Sequence, residues 1–156
     1  MEFEELVKSF ADKYGIADFA AVDGIAALSI DGMSIALMYD GTSDFMTIYG
    51  EIGMPPPDPN GPFGQVMLQA NHLFGGTDGA VLCQNPETKS YAIFRRLDLA
   101  RTDVESLSAS IERTVTQVSD WKQILGGFLK VEDESKKAAE ESMEISPLSS
   151  GPFIQV

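Results

Sequence analysis

The side chains able to do chemistry in this sequence are few, and their spacing does not bring them together. His72 is the one histidine and stands between Asn71 and Leu73 in a stretch of helical period. A histidine acting as general base needs an orienting carboxylate and a nucleophile within reach, and its neighbours supply neither. It reads as a boundary residue of a helix. Cys83 is the one cysteine, so an intrachain disulfide and every multi-cysteine zinc pattern are excluded. It lies mid-strand between Leu82 and Gln84, away from the helix N-terminus or cations that would make a thiolate. Gly75-Gly76-Thr77-Asp78-Gly79 follows a helix and enters a strand, the reverse of the order that a phosphate cradle requires. Asp58-Pro59-Asn60-Gly61 matches only a fragment of a calcium loop and lacks the closing glutamate. Arg95-Arg96 and Arg101 read as strand-end cations balancing an acidic protein. The sequence therefore points to no catalytic residue, no metal and no cofactor, and the function has to be sought in surfaces.

Charge narrows the kind of surface. The 156 residues carry a net charge of −13. Six acids and two lysines from Val131 onward account for −4 of it, which leaves −9 on the first 130 residues. Such a surface repels phosphate backbones and anionic lipid, so nucleic acid and membranes are discounted as partners. It suits a protein that keeps an apolar or basic partner in solution. Apolar residues make up 44% of the chain, enough for one folded domain with a real core. Glu2, Glu4 and Glu5 stand where a signal peptide needs positive charge, and no apolar run is long enough to span a bilayer. A cytosolic protein is expected.

The elements that would carry these surfaces follow from periodicity. Glu2 to Tyr14 is a helix with Phe3, Leu6, Val7, Phe10 and Tyr14 on one face, stopped by Gly15. Ile16 to Gly24 is a connection. Ile25–Ile30 and Met33–Tyr39 flank Asp31-Gly32, a pair suited to a two-residue type I′ turn. That register puts Ala26, Leu28, Ile30, Met33, Ile35, Leu37 and Tyr39 on a bulky face. The opposite face, Ile25, Ala27, Ser29, Ser34, Ala36 and Met38, is small and only mildly polar, unusual for a merely solvated surface. Phe45 to Ile52 reads as a third strand, and Gly53 to Pro62, with its prolines, as an ordered loop or rigid spacer. Phe63 to Phe74 returns to helical period, and Ala80–Gln84 and Ser90–Leu97 are two more strands. Thr102 to Leu129 is a long amphipathic helix on Val104, Leu107, Ile111, Val115, Val118, Trp121, Leu125, Phe128 and Leu129, with Thr102 and Glu105 as its capping box and Gly126-Gly127 weakening its last turn. Residues 1–130 are read as one α+β domain, an antiparallel sheet with helices packed on it in the order α-β-β-β-α-β-β-α. Residues 131–156 are read as an acidic, then Ser/Pro-containing tail, helical near Lys136 to Met143 but mostly mobile.

This order, the acidity, the Gly24–Gly53 meander, the segment Leu68-Gln69-Ala70-Asn71-His72-Leu73-Phe74, the strand ending Arg96-Leu97-Asp98-Leu99 and the helix through Trp121-Lys122-Gln123-Ile124-Leu125 together resemble the class I type III secretion chaperones of the Tir-chaperone (CesT-like) family. The resemblance covers about residues 1 to 130. It implies a bacterial cytosolic homodimer, without catalysis or cofactor, that binds the N-terminal segment of a secreted effector. The second helix and the strand after it would form the dimer interface, here Val66, Met67, Ala70, Asn71 and Phe74 with Val81 and Cys83. The effector segment would run extended, in the manner of strand addition, over Phe3, Val7 and Phe10 on the first helix and Ala27, Ala36, Met38 and Thr47 on the sheet. Two departures are the proline-rich loop and the long tail. The tail would either cover apolar surface in the free protein, as its apolar Phe153-Ile154-Gln155-Val156 suggests, or contact the export machinery.

Two other readings compete with this one. A regulatory or adaptor module outside secretion would use the same fold. A small-molecule sensor would need converging polar groups in a pocket, against which the single histidine argues.

Overall fold

A computed structural model describes residues 2–58 and 61–144. Helix α1 (Phe3–Tyr14) precedes a meander of β1 (Ile25–Ile30), β2 (Met33–Met38) and β3 (Phe45–Gly53). Helix α2 (Pro62–Asn71) continues into a 3₁₀ turn at His72–Phe74, followed by β4 (Val81–Gln84), β5 (Tyr91–Asp98), a 3₁₀ turn at Leu99–Arg101 and the long α3 (Val104–Glu144). The strands form one sheet in the order β1-β2-β3-β5-β4, every neighbour antiparallel. This is the α+β architecture and element order expected from the sequence.

The hairpin shows how local chemistry sets register. Asp31 and Gly32 both take positive φ, 51° and 76°, as a two-residue turn requires. Ile30 therefore faces Met33 and, further along, Ala26 faces Leu37. A one-residue slip would turn the whole apolar set outward.

One face of the sheet forms the core. Ala26, Ile35, Leu37, Met46, Ile48, Leu82 and Ile93 pack with Phe3, Leu6 and Val7 of α1 and with Leu107, Ile111, Val118, Trp121 and Leu125 of α3. Gly50 lets α3 approach β3, because a Cβ there would lie 2.5 Å from Val118 Cγ2. Phe63 anchors α2, stacking on Tyr91 at 5.3 Å and meeting Trp121 and Phe128 edge-on. Trp121 is thus a core residue, as its place in the apolar stripe suggests.

Three expectations are corrected. The box at the start of α3 uses Asp103 and Ser106 rather than Thr102 and Glu105. Asp103 Oδ1 accepts from the Ser106 amide at 2.8 Å, and the Asp103 amide donates back to Ser106 Oγ at 2.9 Å. Thr102 instead donates its hydroxyl to the Asp98 carbonyl. Gly126-Gly127 does not lie in a last turn, since α3 runs through both to Glu144. The apolar-periodic second helix is interrupted at Asn71, where the 3₁₀ turn begins. The Ser/Pro segment and apolar end of the tail lie outside the described residues.

Candidate partner-binding surfaces

The outer edge of β1 is the first surface. The Ile25 amide and carbonyl bond Val22 rather than β2, and Gly24 accepts from the Tyr39 amide on the inner side. Antiparallel strands alternate these directions, so the amides and carbonyls of Ala27 and Ser29 point away from β2. Beside them lies a cleft of about 500 Å³ between the end of α1, the 16–19 connection, β1 and α3. Its walls are apolar: Phe10, Tyr14, Ile16, Phe19, Leu28, Ile30 and Ile111, with Asp18 and Glu112 also contributing. The aromatics are fixed by one another, Phe10 lying 4.9 Å from Tyr14 and 6.0 Å from Phe19. Tyr14 also donates its hydroxyl to Ser108 Oγ of α3 at 2.9 Å. An edge strand with free main-chain groups next to an apolar cleft can accept an extended segment, side chains alternating between cleft and open face.

The sheet face turned away from the helical core is the second surface. Ala27, Ala36, Tyr49, Phe94 and Val81 face one another in a row across all five strands. A second row runs Ile25, Met38, Thr47 and Arg96. Ile25 and Phe45 are half exposed, and the Arg96 guanidinium lies 4.5 Å over the Phe45 ring. Of the residues expected to meet an effector, Ala27, Ala36, Met38 and Thr47 are on this face. Phe3, Val7 and Phe10 are not surface residues. Phe3 and Val7 are fully buried and Phe10 is 5% exposed, because the stripe on α1 that periodicity detects is the one packed on the sheet. Phe10 contributes only as part of the cleft wall. Sequence reasoning missed Phe19 and Ile16, for the connection has no period to betray them.

The third surface is the β4 edge with α2. Asn71 docks on Leu82 from both sides of its amide: Nδ2 donates to the Leu82 carbonyl and Oδ1 accepts from the Leu82 N–H, each at 2.9 Å. This seals the middle of the edge and fixes the end of α2 against it. A groove of about 400 Å³ runs alongside, between Gly64, Met67, Leu68 and Asn71 on one bank and Leu82, Cys83 and Gln84 on the other. Burial pushes the Cys83 thiol up from its ordinary range, which disfavours the thiolate. Met67 is 6% exposed and belongs to the core, while Val66, Ala70, Val81 and Cys83 are half-buried. Leu68, Leu73 and Phe74 are exposed, Leu73 by 86%. Leu73 and Phe74 are both left-handed, φ 51° and 58°, a conformation that is costly for L-residues and concentrates at functional sites. The loop behind them is held by Arg95, which donates to the Asp78 carbonyl at 2.8 Å and to Gln117 Oε1 at 3.0 Å, while Gln117 Nε2 donates to the Thr77 carbonyl. Arg95 is therefore a loop clamp, not the surface counter-charge that its sequence position suggests. Leu68 and Leu73 were missed because nothing in a short apolar run says which side is wet.

The chemistry-bearing residues do not converge on any of these surfaces. His72 is exposed at the end of α2, and no group of three metal-ligating side chains occurs among the described residues.

The model of the Tir chaperone protein (CesT) family matches residues 5–122. The chain belongs to this family. Its fold is likewise shared with solved structures of low sequence identity. The HopA1–SchA chaperone–effector complex contains a chain with TM-score 0.65 and 15% identity, aligned over 78% of this chain and 93% of that one. A chain of the ExsC–ExsE complex gives 0.67 at 16% identity over 80% and 97%. The heterodimeric ExoU–SpcU complex from the type III secretion system of Pseudomonas aeruginosa gives 0.60 at 17% over 76% and 97%. No curated protein matches the sequence. The CesT match ends at Lys122, inside α3, and the helix runs on from there to Glu144. No helix among the described residues is long and apolar enough to cross a membrane.

Proposed function

We propose that this protein is a type III secretion chaperone of the bacterial cytosol, a homodimer that binds the N-terminal segment of a secreted effector and keeps it soluble and competent for export, without catalysing a reaction. The observation that carries this reading is the β1 edge, where free main-chain groups of Ala27 and Ser29 adjoin an apolar cleft. Main-chain pairing gives affinity that tolerates sequence, and the cleft selects apolar side chains at alternate positions. From the edge the segment continues over Ala27, Ala36, Met38 and Thr47, where small side chains let a foreign backbone come close. The dimer forms through α2 and β4, with Leu68, Leu73 and Phe74 as its apolar centre beside Val66, Ala70, Val81 and Cys83, and with Asn71 holding α2 in place.

Each half of the proposal has its own test. Leu73→Asp places a charge in the proposed interface, and sedimentation should then report monomer where the native chain is dimer; an unchanged dimer refutes that interface. Ala36→Glu blocks the small-residue row and should abolish capture of a secreted protein from the host cytosol while the dimer persists. Undiminished capture would remove the sheet face from the binding site.

A further inference from the structure

The second half of α3 carries an apolar groove that belongs to none of the three surfaces above. It is about 300 Å³ and is lined by Pro62, Ile124, Gly127, Phe128, Val131 and Glu132. Ile124, Gly127, Phe128 and Val131 recur at i, i+3, i+4 and i+7, one face of the helix. Gly127 leaves its floor open, with nothing within 4 Å of where a Cβ would stand. Ile124 is 39% exposed and Val131 62%. Glu132 Oε2 is buried without a hydrogen-bond partner, an acceptor waiting for a donor.

We propose that this groove is the docking site of the chain's own Phe153-Ile154-Gln155-Val156. Two arguments favour this occupant over a second copy or a foreign protein. The first is reach. From Glu144 back to Val131 is about 20 Å along the helix, and to Ile124 about 30 Å. Residues 145–153, extended, span about 30 Å, and Pro147 and Gly151-Pro152 are residues at which a helix stops and a chain reverses. The apolar tetrapeptide therefore reaches the groove, and little of the chain between is spare. The second is tethering. A linker of this length holds the segment at an effective concentration in the mM range, so a contact too weak to recruit a separate molecule is populated within one chain. An extended segment brings N–H groups to Glu132 Oε2 and apolar side chains to the floor at Gly127.

The test uses the full chain with a nitroxide on Gln155→Cys in a Cys83→Ser background. The amides of Ile124, Gly127 and Val131 should lose most of their intensity, and those of Ile30 and Met33 should keep theirs. A mixture of ¹⁵N chain without label and labelled chain without ¹⁵N should show no loss. Adding Phe153→Ser and Ile154→Ser should restore the intensity, as should Gly127→Leu, which fills the groove. Absence of broadening at the groove overturns the proposal. So does broadening that appears in the mixed sample, which would mean that a second copy supplies the segment.

Discussion

Asn71 occupies the position at which the β4 edge would otherwise offer the Leu82 amide and carbonyl to any other strand. Its side chain satisfies both groups, so it is a brace inside the monomer. Asn71→Leu leaves two partly buried main-chain groups unpaired and should cost about 1–3 kcal/mol, read as a fall in the urea midpoint. Asn71→Asp keeps the acceptor but loses the donor and should fall between the two. Asp103 makes a second residue-scale prediction. Hydrogen bonds from Ser106 hold its carboxyl below the usual carboxylate range. A depressed acid stabilises the fold above its unfolded value, and that contribution is lost as pH falls through the folded one. The native chain should therefore lose more stability on acidification than Asp103→Ala, and parallel pH curves for the two would contradict the cap. Local chemistry was legible at Asp31-Gly32, while at the start of α3, where Thr102 and Asp103 are both good caps, the sequence reading fell one residue early. The roles of Asn71 and Arg95 were not legible, since their partners come from elsewhere in the chain.

Helix α3 shows the same division at the level of elements. Its first part was visible because burial writes a 3.6-residue stripe into the sequence. Its continuation to Glu144 has no stripe, and what favours helix there is propensity together with opposite charges four apart, Glu132 and Lys136, Asp133 and Lys137, Lys136 and Glu140. Periodicity reports burial, so a helix that leaves the core is silent to it. The glycines sharpen the point. Gly126 and Gly127 stand mid-helix with open space around them, so Gly127→Ala should stabilise the protein by about 0.5–1 kcal/mol, measured by thermal unfolding. Gly50 is the opposite case. An added Cβ meets Val118 Cγ2 at 2.5 Å, which forces α3 away from β3, and Gly50→Ala should cost about 1–3 kcal/mol. The hairpin faces, the strand order within the meander and the α1 stripe were all readable. Whether the α1 stripe met the core or a partner was not, since both uses demand the same spacing.

As a whole, the molecule places its helical core on one side of the sheet and leaves the other side, one edge and the α2 corner available. Reactive groups are scattered, the charge is strongly negative, and the surfaces are apolar and extended, which is the combination expected of a protein that holds an unfolded segment. Family membership agrees with that reading, and it was legible in the order of elements rather than in any single motif. The edge was not legible, because sequence does not say which strand ends a sheet. The central claim is therefore that a secreted protein's N-terminal segment adds to β1, and Ser29→Pro tests it most directly. Proline at an outward-pointing edge position removes a donor without breaking a bond to β2, so the fold and the dimer should survive. Native mass spectrometry of the native and variant chains, each purified gently from the host cytosol, should show two copies plus one secreted protein for the native chain and two empty copies for the variant. Equal retention of the secreted protein by both would contradict strand addition at β1, and a native chain found only as a monomer would contradict the chaperone reading itself.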